Sequence, residues 1–166
     1  MTLQRFTIGV DPGIHGAIAL YQPGADGGVV DVIDFPLVAT KKAGRRTVRN
    51  EINENALAEW VINHQGQTGT AFVEQVGAMP KQGVSSTFRF GMAYGIIRGI
   101  LAARRMPYLL VRPQVWKKAM GVGRDKDECR LLASRMFPRQ ADLFARKKDA
   151  NRAEAVLIAV YGHKYG

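Results

Sequence analysis

Apolar and polar positions along this chain alternate, run together and recur in ways that predict five strands and five helices. Phe6-Thr7-Ile8-Gly9-Val10 is a short β-branched apolar run that stops at Asp11-Pro12-Gly13, a strong turn signal. Ala17 to Tyr21 reads as a second strand, Pro23-Gly24 through Gly27-Gly28 as a turn, and Val29 to Phe35 as a third strand. Three successive strands with short turns predict an antiparallel meander. Residues 39–50 read as a basic loop. Ile52, Ala56, Leu57, Trp60 and Val61 then recur at helical spacing, which predicts an amphipathic helix over 51–64. Thr70 to Val76 is a fourth strand, and Gly77 to Gly83 a connection containing Pro80 and Lys81.

Ser85-Ser86-Thr87 offers a cap for a long helix reaching Met106. Gly91, Gly95 and Gly99 recur there every fourth residue, a stripe without side chains that suits packing on the protein's own sheet or a subunit interface. Arg89, Arg98, Arg104 and Arg105 exclude the membrane setting in which such stripes pair helices. Tyr108 to Val111 is a fifth strand, Pro113 opens a helix to residue 120, and a helix over Asp125–Phe137 ends at Pro138. Ala153 to Tyr161 closes the chain as a mostly apolar helix with Gly162 as its stop. The pattern predicts an α/β fold: a mixed five-stranded sheet with helices on both faces, in a single domain over 1–166.

Composition narrows the class. At 166 residues and 46% hydrophobic, the chain suits one sizeable core and is too apolar for disorder. Its one cysteine, Cys129, excludes an internal disulfide and a multi-cysteine zinc site. The longest apolar runs fall far short of the ~20 residues that cross a bilayer, so no membrane partner is expected. Met1 to Arg5 has no basic-then-apolar leader pattern, and a cytoplasmic location is expected. The net charge of +10 is segregated: residues 98–152 hold fifteen Lys or Arg against five Asp or Glu, and the remainder balances at nine of each. Such segregation favours a polyanion such as nucleic acid.

Most of the fourteen carboxylates sit on polar helix faces or at helix starts. Asp11 at the end of an apolar strand, Glu74 within another, and Asp149 and Glu154 flanking the start of an apolar helix are costly there unless paired or metal-bound. Oxygen ligands of this kind suit Mg²⁺ or Mn²⁺, and two such ions can drive phosphodiester hydrolysis. No Walker A loop, Ser/His/Asp elbow or Cys/His pair is evident, so no nucleotide cofactor is expected, and His15 reads as an exposed turn histidine. Trp116 reads as a core anchor rather than a stacking platform for bases.

Ile8-Gly9-Val10-Asp11-Pro12-Gly13, Phe72-Val73-Glu74-Gln75-Val76 and Ala153-Glu154-Ala155-Val156-Leu157-Ile158-Ala159 follow one another at separations that resemble those of RuvC-type Holliday-junction resolvases. Pro113 to Lys118 and Arg146-Lys147-Lys148-Asp149 look like the phage and prophage branch. The resemblance runs from residue 6 to residue 162. It implies an RNase H-like fold, a homodimer, and Mg²⁺-dependent paired nicking of four-way DNA junctions in recombination and repair. It implies two ions per site, with Mn²⁺ as a substitute, and 5′-phosphate and 3′-hydroxyl ends. By the same resemblance Asp11 bridges the metals, and Glu74 and Glu154 complete the shell. The family's fourth acid lies three residues before the Glu154 position, about 60° around a helix, where this chain has Asn151. Asp149, five before, is the expected fourth ligand, with Asn151 as a neutral alternative. Gly77 stands where the bacterial enzymes carry an aromatic wedge, which leaves Met79 as the wedge candidate. Lys41, Lys42, Arg45, Arg46, Lys81, Lys117, Lys118, Lys126, Arg146, Lys147 and Lys148 are the expected DNA contacts. Two other readings stay open: an RNase H-like nuclease acting on hybrids or flaps, and a basic DNA-binding protein with weak or lost catalysis.

Overall fold

The structure is a computed structural model and describes residues 6–41, 44, 48–64, 69–78 and 83–166. Strands β1 (Thr7–Asp11), β2 (Ala17–Gln22) and β3 (Val29–Asp34) form the expected antiparallel meander. β4 (Leu37–Lys41) and β5 (Val48–Ile52) then form a separate two-stranded hairpin, followed by helix α1 (Glu54–His64). β6 (Thr70–Glu74), helix α2 (Val84–Ala103) and β7 (Tyr108–Val111) complete the main sheet. Its order is β3-β2-β1-β6-β7, with β6 parallel to both β1 and β7. Helices α3 (Pro113–Met120), α4 (Lys126–Met136) and α5 (Ala150–Tyr165) end the chain, with two short 3₁₀ segments between α4 and α5.

The helices divide between the faces as the pattern predicts. Ile8, Val10, Ala71 and Val73 point toward α1 and α2, packing on Leu57, Val61, Ile97 and Leu101. Ala17, Ala19 and Phe72 point the other way, toward Trp116, Phe144 and α5. α5 is the central pillar, for every residue from Ala153 to Val160 is buried. A helix apolar all round belongs in an interior. Burying each of Val156, Leu157 and Ile158 contributes roughly 1.5–3 kcal/mol.

Close approach of α5 to the sheet depends on glycine. A Cβ on Gly9 would collide with the backbone of Ala155 and Ala159, so β1 and α5 touch backbone to backbone. That contact sets the end of β1 beside the first turns of α5.

Several boundaries differ from expectation. The stretch 39–50 is not simply a loop, because Leu37–Lys41 and Val48–Ile52 pair as β4 and β5. Leu37, Val38 and Val48 are exposed in this hairpin, so it lacks the buried alternating face that advertises a strand. The first helix consequently begins at Glu54 rather than residue 51. Gly83, not the Ser-Ser-Thr run, occupies the cap position of α2, and the cap makes no side-chain hydrogen bond. Gly162 does not stop α5, which continues to Tyr165; its missing side chain makes room for the Phe72 ring. Gly91, Gly95 and Gly99 have no other atom of the described residues within 4 Å of a Cβ placed there, so the stripe does not pack on the sheet. The edge of β3 is closed by Gln140, whose amide accepts from Val30 N at 3.0 Å and donates to Val30 O at 2.7 Å. No helix among the described residues is long and apolar enough to cross a membrane.

Candidate active site

Parallel pairing places Val10 opposite Val73, so the residues that follow, Asp11 and Glu74, leave neighbouring strands at the same end of the sheet. Glu154 enters from the first turns of α5, which the Gly9 contact holds against β1. Three elements therefore deliver three carboxylates to one place, and these carboxylates act on one another. Burial, reinforced by the charges of Glu154 and Glu74, pushes the Asp11 carboxyl up to about 8. Burial and Glu154 raise Glu74 as well, against a hydrogen bond from Trp116 and the charges of Lys117 and Lys126. Like charges held together away from water resist ionisation unless a cation joins them.

Two lysines supply positive charge. Lys117 of α3 donates to Glu154 Oε1 at 2.9 Å, and Lys126, the first residue of α4, approaches Glu154 Oε2 at 3.3 Å. Burial works against the Lys117 charge, but the bond to Glu154 and the surrounding carboxylates raise its pKa above the ordinary lysine value. The fully buried Trp116 donates its indole N–H to Glu74 Oε1 at 2.9 Å, and the Lys117 ammonium lies 5.2 Å from its ring centroid. Trp116 is thus the expected core anchor. Its polar edge also orients a site carboxylate, a role that helical patterning does not reveal.

Asp149, the expected fourth ligand, makes a different set of contacts. Its carboxylate receives the Arg146 backbone N–H at 2.9 Å and the guanidinium through Nε at 3.1 Å and Nη2 at 2.9 Å. Arg152 Nη1 lies 3.9 Å away and also forks onto Asp34. Burial works to raise the Asp149 carboxyl, but the Arg146 hydrogen bonds and the two arginine charges outweigh it and hold it below the usual range. The 3₁₀ turn at Lys147–Asp149 folds the side chain back onto its own cap. Asn151 stands where the fourth acid was sought. Its Nδ2 donates to His15 O at 2.6 Å in the β1–β2 turn, and its Oδ1 accepts from Lys126 Nζ at 2.7 Å. One lysine thus joins Asn151 to Glu154.

Of the expected DNA contacts, Lys41, Lys118, Lys126, Arg146, Lys147 and Lys148 are exposed, Arg146 being tied to Asp149; Lys117 is half-buried beside Glu154. Lys42, Arg45, Arg46, Lys81 and the wedge candidate Met79 lie outside the described residues. His15 is exposed as expected, and only its backbone carbonyl reaches the site.

Among the described residues no three His, Cys, Asp or Glu side chains form a ready-made metal shell. The donor chemistry still fits a hard divalent cation, for three carboxylates meet here, the charges of Glu154 and Glu74 help raise the Asp11 carboxyl, and two ammonium groups reach Glu154.

No family model matches the sequence, nor does any curated protein. The fold does have counterparts among solved structures. A Thermus thermophilus RuvC in complex with a Holliday junction substrate superimposes with a TM-score of 0.62 at 15% identity, covering 98% of this chain and 96% of that one. A second Thermus thermophilus RuvC structure gives 0.55 at 13% identity, covering 94% and 93%. The chain has the RNase H-like fold of these RuvC structures, with the mixed five-stranded sheet and flanking helices that the pattern predicts.

Proposed function

We propose that this protein is a divalent-metal-dependent endonuclease that resolves four-way DNA junctions by paired, symmetric hydrolysis, leaving 5′-phosphate and 3′-hydroxyl ends. One observation carries the reading: within a RuvC-like fold, the ends of β1 and β6 and the start of α5 bring Asp11, Glu74 and Glu154 together beside a basic surface. The similar structure that holds a Holliday junction supports branched DNA as the substrate class.

Asp11, Glu74 and Glu154 would hold Mg²⁺, or Mn²⁺ in its place, with Asn151 as a neutral neighbour and Asp149 as a structural residue. Bound there, the ion supplies an activated water and neutralises charge on the scissile phosphate. Trp116 fixes the Glu74 rotamer through its indole N–H, and Lys117 fixes Glu154. Lys118, Lys147 and Lys148 project into solvent, where they can contact phosphates without reading sequence. Two symmetric cuts require two sites, so the active form is a homodimer. The open glycine stripe of α2, beside exposed Val84, Phe88 and Met92, is the face offered to a second copy. Gly95→Gln should turn a dimer into a monomer in sedimentation, and an unchanged dimer would place the interface elsewhere.

The decisive experiment compares Mg²⁺-dependent cleavage of a four-way junction, a plain duplex, a flap and an RNA–DNA hybrid of matched sequence. Paired nicks in the junction alone are expected. Preferential cutting of the hybrid or flap would move the protein to another RNase H-like activity, and junction binding without cleavage would make it a catalytically weak DNA-binding protein.

A further inference from the structure

The contacts of Lys126 hold more than a phosphate-binding role requires. Its ammonium bridges two side chains of α5, Glu154 Oε2 at 3.3 Å and Asn151 Oδ1 at 2.7 Å. The Asn151 amide is oriented from both ends, since its N–H donates to His15 O and its oxygen must therefore face the lysine. A neutral amide thus stands beside the acid cluster and points its acceptor at a cation belonging to the protein itself.

Charge counting gives this arrangement a meaning. When ionised, Asp11, Glu74 and Glu154 bring three negative charges, and Lys117 and Lys126 bring two positive ones. The site then carries one net negative charge. Two divalent ions would leave it with three positive charges, an excess that one phosphodiester cannot balance. A single divalent ion leaves one positive charge, which the phosphodiester monoanion cancels. A fourth carboxylate would have shifted this balance toward a second ion; Asn151 does not.

We propose that Lys126 is the built-in counter-cation of this site, standing in for one of two divalent ions, so that the chain takes one ion where the resemblance implies two. The inference rests on the metal-dependent nuclease reading and deepens it. The Lys126 side chain is 57% exposed and sits at the first position of α4, so it can keep its hold on Asn151 while an incoming phosphate shares its charge. It positions charge and takes no part in bond making.

Isothermal titration of the full chain with Mn²⁺, without DNA, tests the proposal. The wild type is expected to bind one ion per chain. Lys126→Met frees Glu154 Oε2 and removes a repelling charge; it should tighten that ion by roughly tenfold and add a second, weaker binding step. At saturating Mn²⁺ the same variant should cut junctions more slowly, a split between affinity and rate that loss of structure does not produce. Lys126→Arg, which keeps the charge, should return the single-ion titration. Asn151→Asp combined with Lys126→Met should bind two ions of comparable affinity. Two comparable ions in the wild type, no ion at all, or weaker binding by Lys126→Met would each overturn the proposal. Two ions with normal junction cleavage would sink this inference and leave the nuclease reading intact. One ion without junction cleavage would do the reverse.

Discussion

Asp149 and the Asp11–Glu74–Glu154 group converge on the beginning of α5, and both are largely withdrawn from water; what differs is how their charge is answered. Asp149 meets a guanidinium fork and a backbone N–H from Arg146, the planar pairing that suits a carboxylate best, and its pKa falls. The three-acid group meets one indole N–H and two ammonium groups that reach Glu154, and Asp11 is left at about 8. A carboxylate satisfied by its own chain has nothing to offer a ligand. Carboxylates that burden one another have a reason to bind one. Burial alone therefore does not identify a metal ligand, and the partner already in place decides.

The strongest way to break the contrast is to neutralise one carboxylate on each side. Asp11→Asn should reduce junction cleavage by at least about 10²–10³-fold, the cost of removing one preorganised electrostatic stabiliser, while junction affinity in a gel-shift assay stays near wild type. Cleavage at the wild-type rate would remove Asp11 from the chemistry. Trp116→Phe comes next, because it withdraws the indole donor on Glu74 and leaves a gap in the core. A loss of roughly 2–3 kcal/mol is expected in urea unfolding, together with slower cleavage. Stability equal to wild type would show that the indole bond holds nothing in place.

Asp149→Asn should do the opposite of Asp11→Asn. The variant loses the charged half of a capping box and of an Arg fork, so a cost of about 1–2 kcal/mol is expected, read as a fall of roughly 2–8 °C in Tm. Cleavage per folded molecule should stay near wild type. Selective loss of cleavage with unchanged Tm would return Asp149 to the metal site.

How much of this was legible in the sequence follows from the same contrast. Strands β1, β2 and β6 announce themselves because their apolar runs are largely buried, β3 by alternation and β7 by its apolar run alone, and Asp11, Glu74 and Glu154 stand out because each interrupts or ends an apolar run. Hairpin β4–β5 did not, since Leu37, Val38 and Val48 face solvent among lysines and arginines and leave no periodic buried face. Asp149 drew attention for the right reason, a carboxylate at a buried helix start, but its partner Arg146 is also a member of the basic run Arg146-Lys147-Lys148. Spacing alone cannot say whether that arginine looks outward to phosphate or back to its own turn. The 3₁₀ geometry at Lys147–Asp149 decides it, and no periodicity encodes such a turn. Asn151 is legible as a neutral alternative at the fourth-acid position, but its tie to Lys126 is not, because that contact spans twenty-five residues.

The response to pH is the most discriminating test, because the two carboxylates should respond with opposite sign. Asp11 titrates near 8 in the folded protein against an ordinary 3.8, so between these values the fold holds a proton that the unfolded chain has released. Its contribution to stability is full below 3.8 and is lost as pH rises toward and through 8. For Asp149 the folded value lies below 3.8; its contribution is full above 3.8 and is lost as pH falls through the lowered value. Asparagine mimics the protonated acid at either position. Measured by calorimetry without divalent ions, Asp11→Asn should therefore match wild type near pH 4 and become the more stable protein by on the order of 10 °C at pH 8, even though it has lost cleavage. Asp149→Asn should be less stable than wild type throughout the neutral range and close the gap only below pH 3.8. Added Mg²⁺ should erase the advantage of Asp11→Asn at pH 8, since the ion supplies the countercharge that the wild-type cluster lacks. The deficit of Asp149→Asn should not respond to Mg²⁺. A Mg²⁺ response at Asp149, or none at Asp11, would mean that the two carboxylates had been assigned to the wrong sides of the comparison.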